Sequence, residues 1–183
     1  EWGWELQAAK SIEQVDATHI AFELRPGIMF SNGFGEMTAE DVKFSFERII
    51  DPDLASPVAS DWGTLDHVEV TGKYTGVIVL KEAFQPLWNI TLPYAAGNIL
   101  SKKAVESVGG KFGSKPPAIS GPYQIQEWKP KQVVILERNP LWNGEKPVYD
   151  EIHIHQIDDE KTAEIAFEAG DIDFTRISLS SLQ

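Results

Sequence analysis

His153 and His155 stand two apart in a stretch that alternates apolar and polar residues, so both side chains project from one face of a strand. Two imidazoles on one face can ligate a metal, but a zinc-type site needs further ligands, and the surrounding sequence indicates none. Alternation with Ile152, Ile154 and Ile157 makes the solvated face of an amphipathic strand the simpler reading. Asp158, Asp159 and Glu160 offer carboxylates, yet glycosidase-type chemistry wants two of them facing each other across a cleft. Successive acids at a helix start instead complement the helix dipole. Gly109-Gly110-Lys111-Phe112-Gly113-Ser114-Lys115 looks like a phosphate loop but fails the GxxxxGK[ST] spacing. Ser120 has Ala118 and Pro122 where a nucleophile elbow needs glycines. Asn89-Ile90-Thr91 matches the glycosylation sequon, a tripeptide frequent by chance. No catalytic set converges.

Two aromatics fit a binding role better. Trp62 sits in Ser60-Asp61-Trp62-Gly63 and Tyr94 in Pro93-Tyr94-Ala95-Ala96-Gly97, both polar or loop-like contexts. Exposed loop aromatics suit a site for a small ligand with polar and apolar parts. The alternative for each is a ring that plugs the edge of a core.

The bulk composition narrows the classes. The 183 residues carry 28 acids against 16 bases, a formal net charge of −12, which opposes the basic surface a nucleic-acid binder needs. The same balance opposes docking on anionic lipid. Six Trp, nine Phe and 42% hydrophobic residues are enough for a core. No apolar run approaches the ~20 residues of a membrane span. Cysteine is absent, which removes disulfides, thiolate zinc sites and cysteine nucleophiles together. Glu1-Trp2-Gly3-Trp4 lacks the basic and apolar regions of a signal peptide. The expectation is either a cytosolic protein or a chain that starts inside a longer one. The run from Asp173 to Gln183, without a terminating signal, favours the second.

Secondary structure follows from pattern and punctuation. Residues 17–24 alternate as a strand with Ile20, Phe22 and Leu24 inward, and Asn32-Gly33 marks a turn. Thr38 opens a helix with Asp41 in the capping-box position; Val42, Phe46, Ile49 and Ile50 form its stripe, and Asp51-Pro52 ends it. Strands are expected near 66–71 and 75–81, then a helix from Ser101 to Val108 stopped by Gly109-Gly110. The stretch 109–117 is the best linker. A hairpin follows at 120–138 with Lys129-Pro130-Lys131 in its turn. Tyr123, Ile125 and Glu127 are expected on one face, with Gln124, Gln126 and Trp128 on the other. A strand at 151–157, a helix from about Asp159 to Ala169 ended by Gly170, and a short strand from Asp171 complete the chain. The mixture points to an α+β or mixed α/β fold.

Three phrases in order resemble the family 5 extracellular solute-binding proteins, the dipeptide, oligopeptide and nickel receptors of ABC importers. The first is Phe22-Glu23-Leu24-Arg25-Pro26-Gly27-Ile28-Met29-Phe30-Ser31-Asn32-Gly33 with Met37-Thr38-Ala39-Glu40-Asp41-Val42-Lys43-Phe44-Ser45. The second is Ser120-Gly121-Pro122-Tyr123 with Trp128 and Glu137-Arg138-Asn139-Pro140-Leu141-Trp142. The third is Ala169-Gly170-Asp171-Ile172-Asp173.

The resemblance implies a fragment of a two-lobed, class II periplasmic-binding-protein fold. Residues 1–113 would be the extra subdomain of lobe I, with a short lobe I lead-in at 1–11. Residues 114–183 would be the central segment of lobe I, with lobe II absent. It further implies a non-enzymatic receptor for a peptide or another small solute, working with permease subunits. No cofactor is expected. The location implied is periplasmic or extracellular, attached to the cell surface by a lipid anchor in a missing N-terminus. By the same resemblance Trp62 and Tyr94 face the ligand, and Thr175 and Arg176 lie where the chain leaves lobe I for the hinge. The alternatives are a hydrolase using Asp61 with Asp158 or Asp159, and a non-catalytic partner-binding module.

Overall fold

The computed structural model describes residues 5–113 and 115–181, so the start of the lead-in expected at 1–11 lies outside the described residues. In chain order the elements are β1 (Ala9–Gln14), β2 (His19–Leu24), β3 (Met29–Phe30), β4 (Gly35–Glu36), α1 (Ala39–Ile49), β5 (Leu65–Val70), β6 (Thr75–Leu80), α2 (Lys102–Ser107), β7 (Tyr123–Lys129), β8 (Val133–Arg138), β9 (Glu151–His155) and α3 (Glu160–Ala169). They form two compact units. One holds the described residues through Pro122 together with Asn139–Lys146; the other holds Tyr123–Arg138 and the described residues from Pro147 onward.

The first unit is built on an antiparallel sheet in the order β1-β2-β6-β5. Ile20, Phe22 and Leu24 of β2 alternate inward as the sequence pattern requires, and Ile78 and Leu80 of β6 join them. Burying each such apolar side chain contributes about 1.5–3 kcal/mol relative to exposure. On β5, Leu65 and Val68 are both buried although three residues apart. A register shift between Leu65 and His67 against β6 supplies the extra residue that turns both inward. Gly76 has to be glycine, since a Cβ there would stand 2.6 Å from the Phe22 ring and 2.6 Å from the Glu69 carbonyl oxygen.

Helix α1 packs against β5 through Ala39, Val42, Phe46 and Ile49, a 3.6-residue stripe. Its start is held by Asp41, whose Oδ2 accepts the Thr38 N–H at 2.9 Å and the Thr38 hydroxyl at 3.0 Å. The other oxygen of this buried carboxylate accepts the Lys102 N–H at 2.9 Å, so one side chain serves the N-termini of both α1 and α2. Ser45 adds a second tie, accepting the Leu100 N–H at 2.7 Å. Helix α2 is capped by Ser101, as the sequence indicates.

The expected division near residue 113 differs from the observed one, which falls after Pro122. The reason lies in hydrogen bonding. Ser31 N–H donates to the Ile119 carbonyl at 2.8 Å, the Ile119 N–H donates to Ser31 Oγ at 3.1 Å, and Asn32 Nδ2 donates to the Pro117 carbonyl at 3.0 Å. The end of the presumed linker and the residues just after it are thus stitched to the β3–β4 turn. Residues 139–146 return to the same unit, with Asn139 Nδ2 donating to Gly121 and Asn143 Nδ2 donating to Gly27, each at 2.7 Å.

The second unit contains an antiparallel sheet in the order β7-β8-β9. The hairpin expected at 120–138 is present, and Gln132 N–H closes its turn onto Lys129. Its faces differ from the simple alternation. A bulge between Ile125 and Glu127 changes the phase, so Trp128 pairs with Val134 and shares the face of Tyr123 and Ile125, while Glu127 moves to the face of Gln124. Helix α3 starts at Asp159, whose Oδ1 accepts the Thr162 N–H at 2.8 Å, and ends at Gly170 in the left-handed region. The strand expected from Asp171 is not formed among the described residues. Further along, the buried Glu164 carboxylate ties the segment to α3, accepting the Ser178 N–H at 2.7 Å and the Ser181 hydroxyl at 2.6 Å.

Candidate functional site

Three short turns of the first unit pack together beneath α1: a 3-10 turn at Ala59–Trp62, a π-helical turn at Leu87–Thr91, and a 3-10 turn at Ala95–Gly97. The exposure expected of Trp62 as a loop aromatic is corrected by this arrangement. Trp62 is 1% exposed, its ring stacked on Phe46 with centroids 4.4 Å apart. Its Nε1–H donates to the Ala96 carbonyl at 2.8 Å. A 3-10 turn explains how a core residue hides in polar sequence. With three residues per turn, one side chain points inward while Ser60 and Gly63 remain at the surface.

Tyr94 is 68% exposed, between exposed Pro93 and Ala95. The loop carrying it is tied on both sides. Leu92 N–H donates to the Leu87 carbonyl at 3.0 Å, and Gly97 N–H donates to the Tyr94 carbonyl at 2.9 Å. Thr91, fully buried, donates its hydroxyl to the Asp61 carbonyl at 2.8 Å. Gly97 is obligatory, since a Cβ there would lie 2.1 Å from the Leu92 carbonyl oxygen. Trp62 and Tyr94 are therefore brought into one structure, the first as core and the second as surface. Half-exposed Ile90 adds apolar area on the preceding turn. A held aromatic with a phenolic hydroxyl can stack on a ligand and hydrogen-bond it without reacting with it.

Thr175 and Arg176 belong to the second unit, in the irregular segment after α3. Thr175 is half-buried and Arg176 exposed. Thr175 lines an open groove of about 580 Å³ with Phe167, Glu168, Asp173, Phe174 and Ile177. Sequence reading missed Glu164, which fixes this segment from α3. An acid at an inward helix position was its only signal.

The carboxylates are poor acid–base candidates. Asp159 is occupied as a helix cap, and its pKa is lowered by the Thr162 hydroxyl and N–H. Glu164 is held at about 2, first by the Ser181 hydroxyl and then by Lys161 and the Ser178 N–H. Glu36 is also held at about 2, by the Lys73 ammonium first, then the Gly27 N–H and the Tyr74 hydroxyl. Every displaced carboxylate pKa among the described residues moves down, whereas a general acid near neutrality needs one moved up. His153 and His155 share a strand face, but among the described residues no group of three or more His, Asp or Glu side chains could hold a metal ion. No helix among them is long and apolar enough to cross a membrane.

Glu36 has a consequence for acid stability. Its folded pKa lies below the ordinary 4.5, so its contribution is complete above about pH 4.5 and is lost as the pH falls toward 2. Melting temperature from pH 6 to 2 should fall less steeply in Glu36→Gln than in the parent chain. Parallel acid limbs would show that the contacts joining β4 to Lys73 and Tyr74 do not stabilise the fold.

Residues 4–183 match the family model described as the middle region of bacterial extracellular solute-binding proteins, family 5. The chain belongs to this family. It is 30% identical over 180 residues to the oligopeptide-binding protein AppA of Bacillus subtilis, covering 94% of this chain and 32% of that protein. It is 31% identical over 153 residues to the nickel-binding periplasmic protein of Escherichia coli, covering 83% and 29%. The solved structure of AppA from B. subtilis in complex with a nonapeptide superposes with a TM-score of 0.80 at 30% identity, covering 92% of this chain and 34% of that one. The binding protein MoaA from A. tumefacien R10, in complex with mannopinic acid, gives the same values. The chain spans about a third of the length of the curated relatives it matches. The mixed α/β architecture is that of family 5 binding proteins, and the family is one of solute-binding proteins rather than enzymes.

Proposed function

We propose that this chain forms part of the substrate-binding component of an ABC importer, carrying a peptide or another small solute. The match along residues 4–183 to a solute-binding family carries the reading. The relatives named for oligopeptide and nickel binding, and the complexes with a nonapeptide and with mannopinic acid, set the range of solutes. Permease subunits are the proposed partners. The proposed location is outside the cytoplasmic membrane, in keeping with relatives named as periplasmic proteins; attachment to the cell surface by a lipid anchor is a further part of the proposal.

Within the chain, Tyr94 is the proposed principal ligand contact, with Thr175 and Arg176 as further contacts. Exposure on a loop tied by backbone and side-chain hydrogen bonds supports Tyr94. Such a residue keeps its binding geometry without a large ordering cost. Native mass spectrometry of the full-length protein, purified without denaturation, tests the receptor reading. A stoichiometric small molecule or peptide that is released intact on denaturation is expected. Turnover of peptides or glycosides, abolished by Asp61→Asn, would overturn it.

A further inference from the structure

The Tyr94 loop and the end of the turn before it are tied to the turn that contains Trp62 by two side-chain hydrogen bonds running in opposite directions. Trp62 Nε1–H donates to the Ala96 carbonyl at 2.8 Å, and Thr91 Oγ1 donates to the Asp61 carbonyl at 2.8 Å. Ala96 and Thr91 are both fully buried, so neither group has water as a ready substitute partner. The stack on Phe46 fixes the indole from the α1 side. The contact therefore runs from α1 through the indole N–H to a carbonyl two residues from Tyr94.

We infer that Trp62 is a positioning residue for ligand binding. It touches no ligand itself, and through Nε1–H it fixes the loop 92–97 that presents Tyr94. The inference rests on the reading of Tyr94 as a ligand contact. A ring that merely filled the core would need its shape and not its donor. Phenylalanine keeps a ring against Phe46 without the N–H, and benzothienylalanine keeps the whole bicyclic shape without it, which together separate the two roles.

Trp62→Phe in the full-length protein tests this by amide exchange and by retention of peptides from a tryptic casein digest. Losing the donor leaves a buried carbonyl unpaired, which should speed exchange at Leu92–Asn98 about tenfold relative to β2 and β6. Peptide retention should fall several-fold. Tyr94→Ala should lower retention without changing exchange in the loop. Unchanged loop exchange in Trp62→Phe, or a rise equal to that of β2 and β6, would overturn the positioning role. Faster loop exchange with retention untouched by Tyr94→Ala would instead overturn the ligand reading of Tyr94 and leave the tie standing. Should Trp62→Phe fail to fold, benzothienylalanine at position 62 keeps the indole shape with sulfur in place of N–H, and the same outcomes apply.

Discussion

Trp62→Ala is expected to destabilise the first unit by about 3–5 kcal/mol, the range for deleting a large buried aromatic. Three losses combine. The indole leaves a cavity beneath α1, Phe46 loses its stacking partner, and the buried Ala96 carbonyl loses its donor. Relaxation of the neighbours recovers only part of the cavity cost, because interiors are packed close to crystal density. The loss should appear in the urea midpoint followed by amide exchange in β2 and β6, the strands that report this core. A loss below about 1 kcal/mol, the level of an ordinary surface change, would mean that the ring is not packed as described. The contrast with Trp62→Phe matters for function. Alanine removes shape and donor together, whereas benzothienylalanine at position 62 keeps the bicyclic shape and removes the donor alone.

Local signals made much of the fold legible. Thr38 with Asp41, Ser101, Asp159 and Gly170 marked helix ends because capping chemistry is confined to a few residues. Ile20, Phe22 and Leu24 revealed β2 because one face of that strand is buried and the other is not. Strand β1 gave no such signal. It lies at the sheet edge, and of Ala9–Gln14 only Ala9 and Ile12 are partly buried. Its polar sequence reads as loop.

What stayed hidden depends on contacts distant in sequence. The bulge that moves Trp128 onto the face of Tyr123 is set by pairing with β8, and alternation within β7 carries no trace of it. The Gly- and Pro-containing stretch before residue 118 looks like a linker. Its end at Pro117 is bonded to Asn32 and Ile119 just beyond it to Ser31, contacts that span more than eighty positions. Trp62 is the instructive case at the candidate site. Ser60, Asp61 and Gly63 suggest surface, and three of the four residues in that stretch are indeed not buried. Hydropathy averaged over the stretch misses the one side chain that a 3-10 turn sends inward. Tyr94, by contrast, was legible as a loop aromatic, and it stands exposed.

The proposed contact at Tyr94 has the second large expected effect. Aromatic contacts on ordered loops are frequent hot spots, and truncating one commonly costs 2 kcal/mol or more of binding free energy. Tyr94 is 68% exposed, so removing its ring should cost the fold little. Binding and folding are thereby separable at this residue. Calorimetric titration of the full-length protein with the solute released from it is the most direct measurement. Affinity in Tyr94→Ala reduced about tenfold or more, with the melting temperature unchanged, is the predicted result. Equal affinity in the two proteins would contradict the assignment of this loop to the solute-binding surface.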